Sequence, residues 1–170
     1  MKKLILVRHA RAERHGEDGR DESRALHPKG HTAVDKVGAY LQDEGHKPQL
    51  VIHSAAKRTT QTAWGLCECF DPSPMSEGLD ALYLAAAHET FDVIERTEDT
   101  VETLMIVGHN PGIADLTMQL LAGQPLGNIA RSDIQAFPPA AFAVFELDID
   151  QWHGAKNARI IDFKIAETLT

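Results

Sequence analysis

Apolar positions along the chain follow two rhythms in turn. Lys3–Val7, Leu50–His53 and Thr103–Val107 are short apolar runs that read as strands buried on both faces. Helical patterns separate them. Over Pro28–Glu44, Val34, Val37 and Leu41 share a face, Pro28 suits the first turn and Gly45 can stop the helix. From Ser54, read as the cap, to about Phe70, Ala63, Leu66, Cys67 and Phe70 fall at helical spacing. Asn110-Pro111 reads as a cap and first helical residue. Ile113, Leu116, Leu120 and Leu121 then predict a buried helix face ending at Gly123. Residues 71–102 are weaker in pattern and are expected to hold a short strand near Met75 and an acidic helix from about His88 to Thr97. In the tail, Ala140–Leu147 and Ala158–Ile165 are strand-like, joined by a turn around His153-Gly154.

Strands alternating with helices through short connections predict an α/β fold: a three-layer α/β/α sandwich on a mostly parallel sheet, with an antiparallel edge strand from the tail. With 170 residues and no repeat, low-complexity tract or linker, one domain over residues 1–170 is expected.

Composition then excludes several functions. The opening apolar run Leu4–Val7 ends at Arg8, short of the ~7–15 apolar residues of a signal peptide and the ~18 of a membrane span. A cytoplasmic monomer without a membrane partner is the expectation. Net charge is -8, yet residues 1–60 hold twelve Lys/Arg against eight Asp/Glu, leaving five against seventeen in the remainder. An acidic total argues against nucleic acid, which selects a basic stripe. Cys67 and Cys69, the only cysteines, can form neither a disulfide framework nor a four-cysteine zinc site.

The positive charge sits where the chemistry is densest. The first strand runs into Arg8-His9, the second into Ser54 and the helix bearing Arg58, and the third clear strand into Gly108-His109-Asn110-Pro111. Open parallel sheets bind ligands outside the carboxyl ends of their strands. Two histidines, two arginines and helix N-termini on that rim suit a phosphoryl group. Neutral imidazole can attack phosphorus and split hydrolysis into two steps, while arginine forks hold the phosphate oxygens. His9, rigid at a strand end, suits the attack; His109 suits a charged hydrogen-bond donor. Ser54 and Asn110 are candidate substrate contacts, and Arg24, in the long polar connection 10–27, is another.

At these residues the chain resembles the histidine phosphatase superfamily, which includes the phosphoglycerate mutases. Leu6-Val7-Arg8-His9-Ala10 looks like its opening signature. Ser54-Ala55-Ala56-Lys57-Arg58-Thr59-Thr60-Gln61-Thr62-Ala63 resembles its second block, and Val107-Gly108-His109-Asn110-Pro111 its late histidine block. Leu26-His27-Pro28-Lys29-Gly30 resembles the segment that opens its first helix, with His27 where many relatives carry Thr. The four lie in the family's order between residues 4 and 111. The short chain and the Asp21-x-x-Arg24-x-Leu26 run look most like the small SixA-type phosphohistidine phosphatases. The resemblance implies a phosphatase with His9 as the phosphorylated nucleophile, Arg8 and Arg58 on the phosphoryl group, and His109 completing the pocket. It implies no cofactor. Larger relatives take a glutamate proton donor from a mid-chain insertion; here Gly78–Leu84 offers only Asp80 and Tyr83 as candidates.

The expected substrate is phosphohistidine on a protein, possibly a signalling domain. The alternatives are a phosphomonoesterase for sugar or other small phosphates, a non-catalytic phosphate or phosphoprotein-binding module, and a hydrolase using a metal at His27 and His31. The metal reading is disfavoured: His27 falls at a cap and Lys29 places a cation between the two histidines.

Overall fold

The computed structural model describes residues 1–155 and 158–170. Its elements run β1 Lys2–Arg8, α1 Pro28–Asp43, β2 Leu50–Ser54, α2 Lys57–Glu68, β3 Met75–Leu79, a 3-10 turn Asp80–Leu82, α3 Ala87–Glu95, β4 Thr103–Gly108, α4 Gly112–Leu120, α5 Arg131–Ala136, β5 Phe142–Leu147 and β6 Ala158–Lys164. The strands form one six-stranded sheet in the order β3-β2-β4-β1-β5-β6. The first four, β3-β2-β4-β1, are parallel to one another. The tail extends the sheet antiparallel beyond β1, with two strands: β5 pairs with β1, and β6 closes the edge against β5.

The central strands are apolar without interruption because both faces are covered. Along β1, Leu4 and Leu6 join a core with Ile94, Ile113, Leu116 and Ile134 from α3, α4 and α5. Ile5 and Val7 point the other way, into a core with Val34, Val37 and Leu41 of α1 and Ala63, Leu66 and Cys67 of α2. β4 splits in the same manner: Leu104 and Ile106 face one layer, Met105 and Val107 the other. The three-layer sandwich follows. No helix among the described residues is long and apolar enough to cross a membrane.

Two helix starts differ from expectation. Ser54 closes β2 instead of capping α2; Ala56 takes the cap position, with no side-chain bond, and the Ser54 Oγ accepts from the Ala56 N–H (3.3 Å). Pro111 caps α4, so Asn110 lies outside that helix. α4 ends at Leu120, and Gly123 serves the following turn with φ of +78°. The six-residue α5 was not expected from the sequence.

α1 begins where the resemblance places a helix start. His27 Nδ1 accepts from the Lys29 N–H (3.1 Å), so the imidazole does the capping that a hydroxyl commonly does. Gly30 is dictated by close approach: a Cβ there would lie 2.2 Å from the Arg11 carbonyl oxygen. That contact lays the connection after β1 across the first turn of α1.

Candidate active site

Register alone brings the two histidines together. β1 and β4 are neighbours with Arg8 opposite Gly108, so the next residues, His9 and His109, leave the sheet side by side. The His9 N–H donates to the Gly108 carbonyl (3.0 Å), and the two rings meet edge to face with centroids 5.3 Å apart. On the other side of β4, His53 is opposite Val107, which brings Ser54 level with Gly108 and within side-chain reach of His109. Arg58, in the first turn of α2, is 3% exposed and reaches over this strand-end rim.

Arg58 fixes the tautomer of both rings, because a guanidinium can only donate. Its Nε–H points to His9 Nε2 (3.3 Å), and His9 Nδ1–H donates to the Ala10 carbonyl (2.8 Å). His9 Nε2 therefore carries the lone pair, which accepts from the Arg58 guanidinium at the rim. The Arg58 Nη2 donates to His109 Nδ1 (3.3 Å), leaving His109 Nε2–H to donate to Ser54 Oγ (2.7 Å).

Both imidazoles are held neutral. Burial chiefly, and then the charges of Arg58, Arg8 and Arg24, bring the His9 pKa down to about 4 against the opposing bond to Ala10. Burial, with His9, Arg58 and Arg8, takes His109 down to about 3, partly opposed by Asp21. The sequence led us to expect a charged donor at His109. Here burial first, and then the neighbouring charges, keep it uncharged, and its ring N–H donates to Ser54.

Arg8 sits on the opposite flank. Its Nη1 donates to the Phe137 carbonyl (3.0 Å), while its Nε is buried without a partner. The same carbonyl accepts from Asn110 Nδ2 (3.2 Å), which also reaches the Ala136 carbonyl (3.1 Å), and Asn110 Oδ1 is buried and unpartnered. Phe137 is fully buried with φ of +36°, a left-handed conformation that costs about 1–3 kcal/mol in a non-glycine residue. That conformation lets α5 stop and places its carbonyl between Arg8 and Asn110.

The connection 10–27 closes the remaining side through a residue to which the sequence reading gave no role. Asp21 Oδ2 accepts from Tyr83 Oη (2.6 Å) and Arg58 Nη2 (3.0 Å). Its Oδ1 accepts from Arg24 Nη1 (2.8 Å), and its carbonyl from Arg58 Nη1 (2.9 Å). These donors, Tyr83 first, hold the carboxyl well below the ordinary carboxylate range. Arg24, a candidate substrate contact, spends Nη1 on Asp21 and Nε on the Glu13 carbonyl (2.7 Å). Tyr83 is at the rim, edge-on to His109 at 5.6 Å, but its proton goes to Asp21 and its pKa is raised, foremost by that bond. Asp80 is exposed and lines a neighbouring cavity of about 250 Å³ with Glu22, Ala55, Ala56 and Tyr83. The geometry thus gathers Arg8, His9, Ser54, Arg58, His109 and Asn110, adds Asp21, and leaves Asp80 aside. Among the described residues no group of three His, Cys, Asp or Glu side chains is arranged to hold a metal ion.

Comparison with known proteins agrees with this architecture. The histidine phosphatase superfamily (branch 1) profile matches residues 4–80. An uncharacterized Mycobacterium tuberculosis protein is 29% identical over 129 residues, covering 75% of this chain and 78% of its own. An uncharacterized chloroplastic protein of Arabidopsis thaliana is 28% identical over 120 residues, 65% of this chain but only 55% of the plant protein. Among solved structures, SixA of Agrobacterium tumefaciens superposes with a TM-score of 0.81 at 24% identity, covering 96% of this chain and 97% of that one. SixA of Nakamurella multipartitia superposes at 0.77 with 26% identity, covering 96% and 95%. With Arg-His closing β1, the second arginine on α2 and the late histidine after β4 brought to one rim, the chain is similar to the histidine phosphatase superfamily over residues 4–80 and has the fold of the small SixA-type structures.

Proposed function

We propose that this phosphatase works through a covalent phosphohistidine at His9, without a metal ion, and that its substrate is phosphohistidine on a protein. The observation that carries the mechanism is the lone pair on His9 Nε2, fixed by the Nδ1–H bond to Ala10 and kept unprotonated by burial and the arginine charges. In the first step that lone pair forms a bond to phosphorus, and the bond from phosphorus to the leaving nitrogen breaks. The departing imidazole leaves neutral when its other nitrogen already carries a proton. Water then attacks phosphorus, its proton passes to solvent, phosphate leaves, and the Nε2 lone pair is restored. The guanidiniums of Arg8 and Arg58 stabilise the charge on the equatorial oxygens, where preorganised charge contributes most to phosphoryl transfer. Arg8 also carries a buried Nε–H with no protein partner. His109, Asn110 and Ser54 complete the pocket. The phosphoryl dianion itself raises the pKa of His109, so substrate binding favours the charged form that burial and the neighbouring charges suppress in its absence.

The choice of phosphohistidine over an ester rests on the proton inventory. An alkoxide needs a general acid, typically worth ~10²–10⁴-fold. Tyr83 gives its proton to Asp21, Asp21 is held ionised, and Asp80 faces solvent. A protonated imidazole needs no such help. The resemblance to SixA-type proteins supports the same choice of substrate class.

A panel of phosphohistidine protein, sugar phosphates and an activated aryl phosphate, run with and without chelator, tests the reading. Turnover of phosphohistidine protein and aryl phosphate, unaffected by chelator, is expected. Efficient turnover of a sugar phosphate would move the chain to the small-molecule branch. No turnover of any substrate would favour a binding module, and loss with chelator followed by rescue with a divalent ion would favour metal assistance.

A further inference from the structure

We infer that Asp21 is a positioning residue that sets the orientation of the Arg58 guanidinium, with Tyr83 holding Asp21 in place; this rests on the roles proposed for His9 and Arg58. One residue grips the guanidinium at two points, through its carbonyl to Nη1 (2.9 Å) and its carboxylate to Nη2 (3.0 Å). A fork held along that edge has a fixed plane. The remaining N–H groups are thereby aimed, Nε–H at His9 Nε2 and the second Nη2 hydrogen at His109 Nδ1. Without the grip, the end of the side chain can turn about its last bonds and both aims are lost.

Charge leads to the same assignment. Arg58 is almost wholly buried, and a buried cation is tolerated when it is paired and hydrogen-bonded. Asp21 is its one ion-pair partner among the described residues, while Arg8 has none. Asp21 is shared between Arg58 and Arg24. With Arg8, three guanidiniums and one carboxylate leave a net positive charge for the incoming phosphoryl group, Arg8 being the cation without a carboxylate partner among the described residues.

The connection 10–27 is built to deliver this carboxylate. The Ala10 N–H donates to Thr62 Oγ1 (3.0 Å), the Lys57 N–H to the Glu22 carbonyl (2.8 Å) and the Leu26 N–H to Gln61 Oε1 (2.7 Å). All three bonds dock the connection on α2, the helix that carries Arg58. Across the rim, Tyr83 donates to the same carboxylate oxygen that meets Arg58, so the 3-10 turn and the connection meet at Asp21.

The test is kinetic. Asp21→Ala, Asp21→Asn and Tyr83→Phe are made in the full chain, and kcat, KM and vanadate inhibition are measured with an activated aryl phosphate. Rates are normalised to the folded fraction from circular dichroism. Asp21→Ala should lower kcat about 10–100-fold, the scale of a small misplacement of a reacting group, and weaken vanadate by a similar factor. Asp21→Asn, which keeps an acceptor oxygen, should recover part of the loss. Tyr83→Phe should have a smaller effect that disappears in the Asp21→Ala background. Unchanged kcat and vanadate affinity in folded Asp21→Ala would overturn the assignment. Should that variant not fold, the same comparison in Asp21→Asn decides in either direction. An active His9→Ala variant would instead overturn the proposed mechanism, so the two failures are distinguishable.

Discussion

The first strand carries a cation at each end, and the two ends are built on opposite principles. Lys2, 1% exposed, donates to the carbonyls of Asp99 (2.7 Å) and Val101 (3.0 Å), pairs with Glu102 (3.6 Å) and lies 5.4 Å from the Trp152 ring centre. Every donor direction of that ammonium is taken. Arg8 donates one bond to the Phe137 carbonyl, has no carboxylate partner, and keeps a buried Nε–H unused. Native proteins rarely leave a buried donor unpaired, so such a group calls for an explanation. At the amino end of β1, saturated polarity ties the β4 entry and Trp152 to the sheet. At the carboxyl end, unsaturated polarity collects beside His9, the proposed nucleophile. The difference separates the structural cation Lys2 from Arg8, proposed to bind the phosphoryl group, more sharply than burial does.

The largest expected effect lies at the carboxyl end. His9→Ala should reduce turnover by at least ~10⁴-fold, the scale seen when a nucleophile is removed. Circular dichroism and melting should match the parent, since the ring faces the crevice and adds little to either core. Next comes the pair that tests the comparison itself. Arg8→Ala should cost about 10²–10³-fold in kcat with little change in melting, as for loss of one oxyanion-stabilising donor. Lys2→Ala should do the reverse. Losing both bonds, which unpairs the Asp99 carbonyl while the Val101 carbonyl keeps the Trp152 Nε1–H (2.8 Å), should cost about 1–3 kcal/mol and lower Tm by several degrees, while kcat per folded molecule stays at the parent value. If Arg8→Ala destabilises as much as Lys2→Ala and leaves kcat alone, the two ends are not different in kind.

A smaller effect reads the electrostatics. Protonated His9 has no lone pair to attack with, and its pKa is pushed below the ordinary 6.5 to about 4. The kcat/KM profile should therefore stay flat as pH falls through 6.5, where an ordinary histidine would titrate, and decline only near pH 4. A decline centred on 6.5 would mean that the arginines and burial do not govern the ring.

Sheet and rim were legible in the sequence for one physical reason. Strands buried on both faces must be unbroken apolar runs, and each of β1, β2 and β4 ends abruptly in polar residues at the same edge. Arg8, His9, Ser54 and His109 could be placed from that pattern alone. Ser54 was misread as a cap because serine before a helix is a common capping signal, and two residues of offset were enough to convert it into the acceptor for His109. Asp21 lies in a long polar connection with no periodicity, and its partners are 3, 37 and 62 positions away. Nothing local marks such a residue. α5 was equally hidden: six residues give too few turns to reveal a period, and its value lies in a carbonyl aimed at Arg8 and Asn110.

The central claim is that His9 Nε2 accepts the phosphoryl group. Rapid acid-free quenching of the enzyme with excess phosphoryl donor, followed by phosphorus NMR and peptide mapping under alkaline conditions, tests it most directly. The account predicts a phosphoramidate stable to alkali and labile to acid, carried on the Nε2 of His9 and absent from His9→Ala. Steady turnover with no phosphoenzyme, in a variant lacking His9 as well as in the parent, would contradict it.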